Sequence, residues 1–287
     1  MKTVHRLLTS SAILFYSALA FSGDVLVNKP DSSKDSRYEY PHQLLLKILD
    51  VTSTEYGHSN VKHAKSVMSR DRLLISMLEG QQVHVVAEAP KPDWIKQLLV
   101  IRIPIRKGIQ GYRLFFIHKK DRSAIAQVES LKDLQQFKTG SGEGWSTASV
   151  MENAGFEVVT GSSYDGLFHM LERERFATLG RGVNEIYAEF EAQHAEHPFL
   201  TIDESLALHI PLPTYFFVTP KMPELAKRIE IGLQKLIQNG EFEKFFLLHH
   251  EEMIEKSKLK SRKVFHIDNT NLTDQDPLDI ETLWYQF

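Results

Sequence analysis

Apolar and polar residues alternate in short blocks along most of this chain, and the spacing within each block predicts its element. Val25-Leu26-Val27 is an apolar run of strand length, and the polar stretch Lys29–Ser36 after it reads as a loop. Pro41 opens a predicted helix with Leu44, Leu45, Ile48 and Leu49 on one face. A second helix is expected over Ala64–Leu78, with Val67, Leu74 and Leu78 on one side and Gly80 as its stop. Strands are predicted at Val83–Ala87, Leu98–Ile105 and Tyr112–Ile117, the last rich in aromatic and branched residues. The middle of the chain alternates more tightly. A short helix at Leu131–Leu134, a strand at Gln136–Thr139, a glycine-rich turn at Gly140–Gly144 and a helix at Trp145–Ala154 come first. Phe156–Thr160 (strand), Tyr164–Glu172 (helix), Phe176–Leu179 (strand) and Val183–Ala192 (helix) follow. Strands at Ser205–Ile210 and Tyr215–Val218 precede a long helix, Pro223–Asn239, that places Leu225, Ile229, Leu233, Leu236 and Ile237 on one face. Gly240 separates it from a last helix, Phe242–Glu255. Short strands alternating with helices predict an α/β fold with largely parallel sheets.

The first twenty residues follow another logic. Lys2, His5 and Arg6 precede an apolar stretch from Leu7 to Leu19, which ends in the small-x-small triplet Ala18-Leu19-Ala20. That pattern predicts a cleavable secretory signal peptide over residues 1–20 and a periplasmic location. The stretch is short for a membrane span, and no later segment approaches one. The remainder has globular composition, with 42% hydrophobic and 25% charged residues in a chain of 287. Without Lys2 and Arg6 the 34 basic residues become 32 against 37 acidic ones, a net charge of -5. That balance argues against a nucleic-acid partner. There is no Cys, which excludes disulfides, thiolate metal sites and Cys nucleophiles.

The order of several stretches resembles the type 2 periplasmic binding proteins, in particular the solute-binding protein family 3 of amino-acid ABC transporters. Leu78-Glu79-Gly80-Gln81-Gln82-Val83-His84-Val85 is similar to the family's helix-end, glycine and strand step. Ile103-Pro104-Ile105 and Gly111–Ile117 resemble its crossover, and Leu131-Lys132-Asp133-Leu134 the opening of its second lobe. Tyr164–Leu171 and the pair Pro223–Ala226 and Gly240–Phe242 resemble later helices. The resemblance implies two lobes, each a mostly parallel sheet flanked by helices and joined by two crossover strands. Lobe 1 would comprise 24–112 plus 214–287, lobe 2 113–213, with a small ligand clamped between. It also implies no enzyme activity, no cofactor, a monomer, and a partner that is either an ABC permease or a membrane sensor. Two departures stand out. Glu88–Lys96 carries no Arg where the family has a Ser/Thr-x-x-Arg element, and Arg175-Phe176-Ala177 lacks the carboxylate of the family's "R-F-D" step.

Candidate ligand contacts follow from chemistry and place together. Arg113 at the start of the crossover strand could hold a carboxylate bidentately, or pair structurally at the hinge. Gly142, Gly144 and Trp145 belong to a turn that could offer backbone N–H groups to an anion, or be a plain tight turn. Arg181, Asn184 and Glu185 could face the cleft or merely cap a helix. Trp94, Tyr112 and Tyr164 could wall the cleft or pack in cores. Asp35, Arg37 and Tyr38 read as a solvated loop at the cleft edge. His249-His250-Glu251-Glu252-Met253-Ile254 fails H-E-x-x-H, and His194 with His197 has no third ligand nearby in sequence, so no metal is expected. The expected function is capture of a small polar, carboxylate-bearing, amino acid-like solute for ABC-type uptake. The alternatives are a ligand sensor without a transporter, or an enzyme on the same scaffold using Glu143 or Glu185 near an Arg.

Overall fold

The computed structural model describes residues 23–33 and 35–287; the predicted signal peptide lies outside them. Twelve strands are present among the described residues: β1 (Val25–Val27), β2 (Val61–His63), β3 (Val85–Glu88), β4 (Leu99–Ile101), β5 (Tyr112–His118), β6 (Thr139–Gly142), β7 (Val158–Gly161), β8 (Thr178–Gly182), β9 (Leu200–Ile202), β10 (Leu206–His209), β11 (Tyr215–Val218) and β12 (Lys263–His266). They form two sheets. One has the order β2-β1-β3-β11-β4, the other β12-β10-β5-β8-β6-β7 with β9 also on β5. β1 runs parallel to β2 and β3, and β6 parallel to β7 and β8, while β11 and β5 run antiparallel to their neighbours. Helices pack on the sheets, so the strands are apolar on both faces, as in Tyr215-Phe216-Phe217-Val218, all buried.

The first lobe buries Leu44, Leu45 and Ile48 against Ile229 and Leu233 of the helix Pro223–Gln238. That helix also buries Arg228, whose guanidinium donates to Thr52 Oγ1 (2.9 Å) and to the carbonyls of Leu49 and Gly57 (both 2.8 Å). The second lobe packs Phe116, Phe168, Leu179 and Ile186 around β5 and β8. The lobes are joined where residues 105–111 and 210–214 run side by side. Ile105 N–H donates to Thr214 O (2.9 Å) and Ile210 N–H to Gly111 O (3.0 Å). A Cβ at Gly111 would sit 2.0 Å from Ile210 O, so this crossing requires glycine. The end of the chain lies over the crossing: Tyr285 N–H donates to Lys107 O (2.8 Å), Trp284 covers Gly108, and Phe287 stands on Tyr112 (4.4 Å).

Several expected boundaries move. The helix expected at Ala64–Leu78 spans Arg70–Glu79, because Ser69 caps it by accepting from Arg72 N–H. The preceding residues include β2, and Val67 is exposed. Leu98–Ile105 shortens to β4, with a helix Pro92–Gln97 before it that starts on proline. β6 begins at Thr139, so Gly140 and Gly142 belong to a strand and only Glu143-Gly144 turns. β8 extends through Gly182, which puts Arg181 on a strand instead of at a helix start. β9 and β12 were not expected, and β12 pairs with β10 in the second sheet although its residues fall in the stretch assigned to lobe 1.

Candidate functional site

Five arginines converge where the two lobes meet, on an inner cavity of about 60 Å³. Each arrives from a different element. Arg37 comes from the loop after β1, Arg70 from the first residue of its helix, Arg106 from the crossover, Arg113 from β5 and Arg181 from β8. Arg106, Arg113 and Arg181 are 4%, 3% and 2% exposed, so their charges are desolvated and must be answered locally. Four have carboxylate partners. Arg37 donates to both oxygens of Asp35 (2.6 and 2.8 Å) and to Asp31 (2.6 Å). Arg70 pairs with Glu88 (2.8 Å) and donates to the Tyr38 hydroxyl (2.6 Å). Arg181 forks onto Glu189 (2.7 and 2.6 Å) and reaches Glu185 at 3.1 Å. Arg113 lies 3.8 Å from Glu185 and donates to the carbonyls of Gln110 (2.9 Å) and Gly180 (2.7 Å).

Arg106 differs. It donates to Arg37 O (2.6 Å) and lies over the Tyr40 ring (5.1 Å), and no carboxylate among the described residues comes within ion-pair distance. Burial pulls its guanidinium below the ordinary value, with Glu185 the leading charge that opposes the fall. Burial likewise draws Arg113 down to about 10 against the pull of Glu185. Burial would raise Glu185, but Arg181, Arg113, Arg37 and Arg106 together hold it below the usual carboxylate range. A carboxylate kept ionised in this way is a fixed counter-charge, poorly matched to proton transfer near neutral pH.

Trp145 forms the wall between this cavity and an outer groove of about 450 Å³. Two guanidiniums lie over its ring, Arg181 at 4.5 Å and Arg37 at 5.3 Å, one from each lobe. Gly142 makes this possible, since a Cβ there would meet the indole at 2.2 Å. Tyr164, Gly142 and Gly144 line the outer groove with Arg70. Lys91 crosses the groove's edge to donate to Gly144 O (3.0 Å). Arg70 Nε and the Tyr164 hydroxyl are buried without a hydrogen-bond partner, capacity that a polar solute can take up.

Of the residues expected from sequence, Arg113, Trp145, Arg181 and Glu185 line the inner cavity, and Gly142, Gly144 and Tyr164 line the outer groove. Three stand elsewhere. Trp94 is a core residue, edge-on to Phe217 at 5.6 Å. Tyr112 packs between His209 (4.3 Å) and Phe287. Asn184 is buried beside Gly182 and Gln110, outside both lining sets. Glu143 is exposed at the mouth of the groove. Sequence reasoning missed Arg70, Arg106, Gln110 and Thr214, and it read Arg37 and Tyr38 as solvated although Tyr38 is 7% exposed. The legible signal for Arg106 was its place right after the crossover stretch Ile103-Pro104-Ile105.

No protein-family model matches the chain, and no curated protein matches it in sequence. Solved structures do match. An ancestral arginine-binding protein bound to arginine superposes with a TM-score of 0.58 at 17% identity, covering 80% of this chain and 99% of the other. An amino acid ABC transporter substrate-binding protein from Streptococcus pneumoniae, bound to L-arginine, gives 0.54 at 12% identity, covering 80% and 94%. A histidine kinase sensor domain with similarity to periplasmic binding proteins gives 0.57 at 14% identity, covering 80% and 96%. The fold is the two-lobe α/β fold of the type 2 periplasmic binding proteins, with amino-acid ABC transporter binding proteins among its structural neighbours. No helix among the described residues is long and apolar enough to cross a membrane.

Proposed function

We propose that the chain is a periplasmic, non-enzymatic binding protein that captures a small carboxylate-bearing, amino acid-like solute between its lobes and presents it to an ABC-type permease. The observation that carries this is Arg106, a buried guanidinium aimed into the interlobe cavity with no carboxylate of its own. A solute carboxylate supplies the missing partner in the geometry guanidinium favours. Trp145 and Tyr164 give the solute's carbon skeleton apolar walls, and Glu88 or Glu185 can take an ammonium group. The neighbours' arginine and amino-acid binding support the substrate class. A second reading, ligand sensing without transport, is supported by the likeness to a histidine kinase sensor domain. Permease genes beside this one favour uptake, and a kinase gene favours sensing.

The test is a thermal-shift screen of the chain lacking residues 1–20 against amino acids, dicarboxylates and short peptides. A ligand at a hundred times its dissociation constant stabilises the fold by about 2.7 kcal/mol. The expected result is a carboxylate-bearing hit, recovered unchanged, that Arg106→Ala weakens by roughly 2–5 kcal/mol through loss of a buried charge-assisted pair. Hits that Arg106→Ala leaves untouched, or hits without a carboxylate, overturn the proposal.

A further inference from the structure

Outside the cleft, the second lobe brings together three side chains, two from one helix and one from a later segment. His169 and Glu172 are three residues apart on the helix Tyr164–Glu172, so they share a face. His197 follows the helix Ile186–Gln193 and meets them there. Its Nδ1 is 3.5 Å from Glu172 Oε2, and His169 Nδ1 is 3.7 Å from the same oxygen. One donor atom from each of the three falls within 4.8 Å of the others. His197 is 2% exposed, and its Nδ1 is buried with no hydrogen-bond partner. An orphaned buried ring nitrogen beside a second imidazole and a carboxylate calls for something to satisfy it.

We propose that His169, Glu172 and His197 bind a divalent transition-metal ion, Zn²⁺ being the best match, with water completing a four-coordinate shell. Two imidazoles and one carboxylate are a zinc donor set, whereas the hard cations Mg²⁺ and Ca²⁺ prefer oxygen ligands throughout. Bonds of about 2.0–2.1 Å around a tetrahedral ion put donors roughly 3.3 Å apart, close to the two observed spacings. The small adjustment falls on the exposed side chains His169 and Glu172, while His197 stays fixed. The His197 ring is stacked on Phe168 (5.9 Å), the His197 backbone N–H donates to Gln193 O (3.0 Å), and the Gln193 side chain is tied to Asp165 (3.1 Å). His194, the neighbour suggested by sequence spacing, falls outside the group of three whose donor atoms converge; its ring stacks on Phe190 (5.0 Å) with Nδ1 at 2.9 Å from Phe190 O. The exposed side of the cluster leaves the fourth position open to solvent.

The experiment is calorimetric titration of the chelator-stripped protein, purified without a histidine tag, with Zn²⁺, together with visible absorption of its Co²⁺ form. The expected result is one tight equivalent per chain and cobalt d–d bands. Both should be lost or weakened by at least about a hundredfold in His169→Ala and Glu172→Gln, beyond the ~10–100-fold that outer-shell losses cost. These two residues are exposed, so their variants fold whether or not His197→Ala does. A His209→Ala/His266→Ala variant, which removes another close imidazole pair, should bind Zn²⁺ as before. Absence of a stoichiometric site, or a site that survives His169→Ala and Glu172→Gln, overturns the proposal.

Discussion

Glu189 is 1% exposed, and its two oxygens take the fork of Arg181, itself 2% exposed. Removing one member of such a pair strands a desolvated charge. Glu189→Ala removes the forked partner and leaves Arg181 with Glu185 alone, so it should cost about 3–5 kcal/mol of stability by chemical denaturation, while Glu189→Gln, which keeps an acceptor oxygen, should cost less. At the same scale, Arg106 and Arg181 show what sequence conveys and what it withholds. An arginine at the start of a crossover strand or at a strand-to-helix step can be flagged, and Arg113 and Arg181 were. That Arg106 has no acid beside it, while Arg37 has two, depends on contacts between residues far apart in the chain.

At the scale of elements, Gly142 ends β6 under the flat face of Trp145. Gly142→Ala puts a methyl group where the indole lies. It should displace Trp145 and cost about 1–3 kcal/mol by overpacking, with a shift in tryptophan fluorescence as the readout. The glycine cluster was visible in the sequence, but its reason was not: the expectation was a backbone cradle or a plain tight turn, and the structure uses the missing side chain of Gly142 to seat a ring. Elements with strong periodicity were read well, Tyr164–Glu172 and Tyr215–Val218 to the residue. β2, β9 and β12 were missed because three or four residues are too few to establish a period, and pairing with a neighbouring strand makes them strands.

At the scale of the whole molecule, the order of segments announced two lobes, and the fold has them. What the chain could not announce is how the helix Glu241–Ser257 inserts between their cores, with Phe242 and Phe245 in one and Phe246 and Ile254 in the other. On that helix His250 is 2% exposed, against Tyr40 and Phe246. Burial, with Arg106 and His249 nearby, pushes it down to about 2. Burial and the His266 ring push His209 down to about 4. Both stay neutral in the fold but accept a proton near pH 6.5 once unfolded. Stability should be full above that pH and fall below it, by up to about 1.4 kcal/mol per pH unit for each ring. Denaturation midpoints between pH 7 and pH 5 check this, and His250→Phe should flatten the slope.

The inner cavity, at about 60 Å³, is well below the ~300–1,000 Å³ of most small-molecule sites. On the proposed function, an amino-acid-sized solute needs the lobes further apart than they stand here, both to enter and to leave. The consequence concerns clocks. Entry is then capped by how often the lobes open, so better contacts lengthen residence without quickening arrival. Two solutes of very different affinity would be taken up at similar speed and held for very different times.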